Sequence, residues 1–171
     1  MFKKITLLII FIAIVVACCI PSFAVSNSLF NSANTPSSQQ FLVTITRPEG
    51  DESTFKTSYV ICGNTNVEGI EVELYIYNKD TDSFEPFLNT DGVNSWEIGS
   101  SGIFMKEVVL PEKGVNKIRI VAYKKGEAGS LELNSNLQIN DFNITVLNED
   151  IKEMIENGML RINDLLKGFF N

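Results

Sequence analysis

The chain has 171 residues, with 14 basic and 21 acidic side chains, a net charge of −7 and no histidine. Without histidine there is no Ser-His-Asp or Cys-His catalysis, and the common zinc sites lose their usual ligand. The acidic balance repels polyanions, which argues against a nucleic-acid partner.

Residues 1–24 read as an export signal. Lys3 and Lys4 form a basic start, an apolar run follows from Ile5 to Ala17, and Ser22-Phe23-Ala24 places small residues where a signal peptidase reads. The run is shorter than the roughly 20 apolar residues of a membrane span. Cleavage is expected after Ala24. The competing reading is a lipoprotein: Val15-Val16-Ala17-Cys18 resembles a bacterial lipobox, which would anchor the chain through Cys18. Cleavage after Ala24 leaves 147 residues, enough for one domain, and takes the charge to −9 by removing Lys3 and Lys4. Cys62 is then the one remaining cysteine, so no internal disulfide forms. It lies in an apolar strand and reads as a buried, inert thiol. Composition and export together point to a secreted or cell-surface bacterial protein.

Residues 25–40 (VSNSLFNSANTPSSQQ) are polar and read as a flexible linker. Strands follow. Phe41 to Arg47 is the first, ended by Pro48-Glu49-Gly50-Asp51, and Tyr59 to Gly63 is the second. Glu71 to Asn78 alternates most clearly, with Val72, Leu74 and Ile76 on one face and Glu71, Glu73, Tyr75 and Tyr77 on the other. Phe84 to Leu88 reads as a short edge strand, because Pro86 cannot donate to a central ladder. Trp96 and Ile98 lead into Gly102–Gly126, read as the central hairpin. Phe104, Val108 and Leu110 on one arm and Ile118, Ile120 and Ala122 on the other offer apolar stripes, and Pro111-Glu112-Lys113-Gly114 forms the turn. A weak strand at Leu131 to Leu133 and a last one at Asn140 to Leu147 complete the set. About seven strands with turn residues every ten or so positions predict an all-β, immunoglobulin-like antiparallel sandwich over 41–147.

The period then changes. Asn148 suits a helix N-cap, and Glu149 and Asp150 suit its first turn. Ile151, Met154, Ile155, Met159, Ile162, Leu165, Leu166 and Phe169 recur at three- and four-residue spacing. Residues 148–171 therefore read as an amphipathic helix of about 20 residues, roughly 30 Å long. Gly158 inside it costs about 1 kcal/mol relative to alanine, so packing has to hold the helix.

The sandwich region is similar to the immunoglobulin-like modules found in glucodextranase domain B and related bacterial extracellular repeats. The likeness rests on Ile45-Thr46-Arg47-Pro48-Glu49-Gly50, on Tyr59 to Thr65, on Gly102-Ile103-Phe104, and on Leu110 to Ile120 with Gly114 and Asn116 in place. It spans about Phe41 to Leu147 and omits the helix. Lys79 to Ser101 is longer than the turn usual in that family. The resemblance implies an accessory, spacer or binding module at a cell surface, with no catalytic residues to carry over.

The residues themselves point the same way. There is no Cys-x-x-Cys, P-loop or Gly-x-Gly-x-x-Gly, and Glu71 and Glu73 lie on a face expected to be solvated, so no enzyme and no cofactor are expected. Asp80, Asp82, Glu85, Asn89 and Asp91 offer hard oxygens of the kind calcium takes, but they lack EF-hand spacing, and turn chemistry accounts for them; no metal site is assigned. Tyr75, Tyr77 and Trp96 are the candidate ligand-binding aromatics, which could stack on cell-wall polysaccharide. Ile151, Ile155, Ile162 and Leu166 are the candidate partner-binding residues, for another protein or a second copy. The leading expectation is a non-catalytic envelope or extracellular interaction module. A carbohydrate-binding module is the alternative.

Overall fold

A computed structural model describes residues 28–158. It is an all-β sandwich of two packed sheets, followed by a helical segment. The described residues form nine strands, β1 (Thr44–Arg47), β2 (Glu52–Thr54), β3 (Ser58–Asn64), β4 (Ile70–Asn78), β5 (Ser83–Pro86), β6 (Ser95–Glu97), β7 (Ile103–Val109), β8 (Gly114–Lys124) and β9 (Leu137–Val146). The small sheet has the order β1-β3-β7. The large one has the order β2-β9-β8-β4-β5, with β6 also on β4. The chain crosses between the sheets repeatedly, at β1–β2, β2–β3, β3–β4, β6–β7 and β7–β8.

Three features of the sheets depart from the sequence reading. The large sheet is mixed, because β2 runs parallel to β9. β2 is only Glu-Ser-Thr, with no apolar alternation to reveal it. The Gly102–Gly126 stretch is also not a hairpin. β7 pairs with β3 in the small sheet, and β8 pairs with β4 and β9 in the large one. Pro111 to Lys113 is thus a crossover between sheets. Both arms do face the core, but from opposite sides. Leu131 to Leu133 forms no strand; Leu133 makes an isolated bridge to Leu137.

The main core lies between the sheets. Ile45, Tyr59, Ile61, Phe104 and Val108 enter from the small sheet, and Val72, Leu74, Ile118, Ile120, Phe142 and Ile144 from the large one. The long Lys79–Ser101 segment covers the edge of β4. β5 pairs with its second half, β6 with its first, and the loop between them reaches β7 through an Asn89–Val108 bridge.

Residues 28–38, expected to be part of a linker, are instead packed on the outer face of the large sheet. They begin with a one-turn helix, α1 (Ser28–Asn31), whose Phe30 is buried against Tyr75, Val121 and Tyr123 in a second apolar cluster. The segment then crosses the upper edge of β9. Ser38 exchanges hydrogen bonds with Ile139, and the Gln138 side chain accepts from the N–H groups of Phe41, Leu42 and Val43 at 2.8–3.0 Å. β9 is therefore covered along its length, by this segment above and by β2 below. Ser38 and Gln138 are satisfied in these contacts, whereas Asn31 Oδ1 is buried without a hydrogen-bond partner among the described residues.

After β9, Leu147 N–H donates to Thr54 at 2.8 Å, and residues 149–158 are helical. Among the described residues no helix is long and apolar enough to cross a membrane.

Candidate functional site

The three candidate aromatics do not form one platform. Tyr75 and Tyr77 leave the large sheet outwards, as their parity predicted. Yet Tyr75 is only 4% exposed, because Phe30 lies on it with ring centroids 5.9 Å apart. Tyr77 stands half-buried beside Phe84 at 5.6 Å, its hydroxyl donating to Asp82. Trp96 faces the other way and packs 5.8 Å from Phe104 at the rim of the main core. The expected aromatic row therefore does not form: the docked N-terminal segment covers Tyr75, Phe84 flanks Tyr77, and Trp96 lies on the opposite face.

Under that segment, Glu73 accepts hydrogen bonds from the hydroxyls of Tyr75 and Tyr123, both at 2.5 Å. Burial, reinforced by these bonds to the carboxylate, holds both phenols well above the ordinary tyrosine range. Protonated phenols are donors, so the trio is a structural hydrogen-bond network. No acid and base face each other across it.

The acidic loop is likewise committed to local bonds. Asp82 accepts from Tyr77, Glu85 from Asn78 and Thr81, and Asp91 pairs with Lys106 at 2.9 Å. Among the described residues no group of three or more His, Cys, Asp or Glu comes together to hold a metal ion. An open cleft of about 600 Å³ lies between the turn at Thr65–Gly69 and the loop from Glu97 to Gly102. Its carboxylates are Glu68 and Glu97, and Glu97 is paired to Lys125 at 3.0 Å.

Exposed apolar side chains occur singly, as at Phe41, Leu88, Val93 and Val115, and in groups of three at two places. The first is the helical segment, where Ile151, Met154 and Ile155 are 40%, 72% and 49% exposed. They follow the three- and four-residue spacing of one helix face. Ile162 and Leu166, expected to continue that face, lie outside the described residues. The second is the outer face of β7, where Ile103, Met105 and Val109 are 64%, 68% and 56% exposed. Register sets Met105 beside Cys62 and Glu107 beside Val60 on β3. Cys62 is half-buried on this outer face, not enclosed in the core as expected. Sequence reasoning passed over the β7 face because only one parity of the strand was used. The signal was present: Ile-Phe-Met-Lys-Glu-Val-Val is apolar on both parities, and a strand covered on one side needs only one. Glu107 interrupts this face between Met105 and Val109 and is hydrogen-bonded to Ser58; exposed apolar side chains that stand together, as Ile103 and Met105 do, mark contact surfaces.

No family model matches the chain, and comparison with curated proteins finds no match.

Proposed function

We propose that this chain is a non-catalytic, exported bacterial module of the cell envelope or extracellular space, related to the glucodextranase domain B type of immunoglobulin-like module. It engages a protein partner through the apolar face of its C-terminal helix. The observation that carries this reading is the exposure of Ile151, Met154 and Ile155 on a helix whose residues 149–157 are all exposed. An amphipathic helix in water gains its stability mainly by packing that face against something. The sandwich has already closed its own core without it. Export rests on the basic and apolar pattern of residues 3–24.

The test compares melting of Val25–Asn171 with that of Val25–Leu147 at low concentration. The shorter chain is expected to keep its near-ultraviolet circular dichroism and its midpoint. If it unfolds or aggregates, the helix belongs to the sandwich core and the reading fails.

A further inference from the structure

Residues 28–38 lie on the outer face of the large sheet as a ligand lies in a groove. The core between the sheets is closed without them, and the cluster they cover is separate from it. Phe30 is the anchor, enclosed by Tyr75, Phe84, Val121, Tyr123, Leu137 and Ile139. The rest of the segment is held by its main chain. Arg119 donates to the carbonyls of Phe30, Ser32 and Thr35, and Asn140 donates to that of Ser38 at 2.8 Å. The Ser38 N–H donates to the Ile139 carbonyl at 2.7 Å, and Ser32 forms a bridge to Ser83 on β5. Main-chain bonds supply affinity whatever the sequence, and a pocket for one side chain supplies selectivity; sheets bind peptides in this way. The face is also balanced in charge. Arg119 and Lys117 share Asp141, and Glu73 accepts from Tyr75 and Tyr123. The segment laid on it carries no charged residue.

We propose that this outer face is a binding site for an uncharged peptide segment with one aromatic anchor, and that residues 28–38 are its built-in, displaceable occupant. Two observations mark the occupant as replaceable. Its attachment is separate from the next one along the chain: Gln138 holds Phe41 to Val43, and Gln39 and Gln40 in between are exposed. Residues 28–38 therefore have a hinge about which they leave while β1 keeps its register. The fit is also imperfect, because Asn31 Oδ1 is buried without a hydrogen-bond partner among the described residues. A peptide lacking that oxygen binds better in the same place. The visitor is a segment of another protein. A second copy offers only the identical sequence, and the tethered segment outcompetes it at a millimolar effective concentration. With the segment lifted, Tyr75, Tyr123 and Phe84 open as one aromatic surface. This site is distinct from the C-terminal helix and does not depend on it.

The test uses Val25–Asn171 and a synthetic peptide of residues 28–38, labelled at its Ser28 end, which is exposed in the fold. Phe30→Ala loosens the tethered segment. Fluorescence anisotropy is expected to show micromolar binding of the peptide to that variant, at least about tenfold tighter than to the native chain. Peptide carrying Phe30→Ala is expected to bind at least about tenfold more weakly, and peptide carrying Asn31→Ala about tenfold more tightly. The native chain gives a second readout should Phe30→Ala misfold. Millimolar unlabelled peptide is expected to speed amide exchange at Ser38 of the chain by at least about tenfold, because exchange follows the opened population. No binding and no faster exchange overturn the proposal and make residues 28–38 a fixed part of the fold. Binding indifferent to both peptide changes overturns it too. So does a Phe30→Ala chain that takes a cell-wall oligosaccharide and not the peptide; the uncovered aromatics would then serve carbohydrate.

Discussion

The guanidinium of Arg119 is fully buried and forks both carboxylate oxygens of Asp141, at 2.7 and 3.0 Å. Its remaining N–H groups donate to the main-chain carbonyls of Phe30, Ser32 and Thr35 at 3.0, 2.7 and 3.3 Å, and its plane lies 3.8 Å from the Phe84 ring centroid. One side chain on β8 thus grips the backbone of a segment nearly ninety residues earlier. Removing it leaves three carbonyls without their donor and Asp141 with Lys117, at 3.5 Å, as its remaining cation. Arg119→Met is expected to cost about 3 kcal/mol, the low end of the range for breaking a buried ion pair, because Asp141 keeps Lys117. Lysine cannot reproduce the planar fork, so Arg119→Lys should recover only part of the loss. Urea unfolding of the three proteins measures this. Equal midpoints would show that the clamp contributes nothing.

Phe30 is the apolar half of the same attachment. It is almost fully buried and stacks on Tyr123 at 6.0 Å. Phe30→Ala is expected to lower stability by about 3 kcal/mol, at the low end for aromatic truncation in a core. It should also open residues 28–38 to protease while the sandwich stays folded. If residues 25–40 were a linker, the substitution would leave both readouts unchanged.

That contrast shows what was legible from residue types and what was not. Val72, Leu74 and Ile76 alternate with Glu71 and Glu73, and a half-exposed strand has no other way to be written. The helix face at Ile151 and Ile155 was readable for the same reason, since apolar period maps directly onto geometry. The clamp has no such mark. Arg119 reads as an ordinary polar interruption of a strand, because what it recognises is main-chain carbonyl, which every residue carries. Ser-Asn-rich sequence around Phe30 reads as linker because its attachment is made by hydrogen bonds from Arg119, Gln138 and Ser38, not by apolar period. Hairpin and crossover were likewise indistinguishable at Pro111–Gly114, since both deliver alternating stripes to one core.

Gln138 tests the polar half of the attachment. Its side-chain oxygen accepts from three successive N–H groups, and its amide donates to Val43 at 2.9 Å and to Asn140 at 2.7 Å. Gln138→Leu keeps the bulk and removes every partner. Unsatisfied buried N–H groups cost about 1–3 kcal/mol each when water cannot reach them. The expected result is a loss of at least about 2 kcal/mol, with amide exchange accelerated at Phe41 to Val43 before any other strand. Unchanged protection there would mean that the N–H groups find other acceptors.

All four tyrosines bear on alkaline stability. Burial first, then hydrogen bonds to Glu52 and Glu73, raise Tyr59, Tyr75 and Tyr123; Tyr77 is raised chiefly by its bond to Asp82. An unfolded tyrosine ionises near pH 10. Raised values in the fold mean that the folded chain holds more protons above that pH, so stability is whole below about pH 10 and falls as pH rises beyond it. Phenolate absorbance is expected to appear together with loss of near-ultraviolet circular dichroism. Buried tyrosines that ionise in a still-folded chain would refute the assignment.

The last prediction concerns Gly63, where the inward face of β3 has no room for a side chain. A Cβ there would lie 2.5 Å from the Phe104 ring and 2.8 Å from the Thr44 carbonyl oxygen. The ring could rotate, but the carbonyl belongs to β1, paired to β3 in register at Thr44–Asn64. Gly63→Ala must therefore push β1 away or displace Phe104 from the core between the sheets. The expected cost is about 1–3 kcal/mol, as for overpacking elsewhere. Phe104→Leu in the same chain removes the nearer clash and leaves the backbone one. The double variant is expected to lose less than the sum of the singles, which a double-mutant cycle reads as positive coupling. Strict additivity would place the strain at the β1 carbonyl alone.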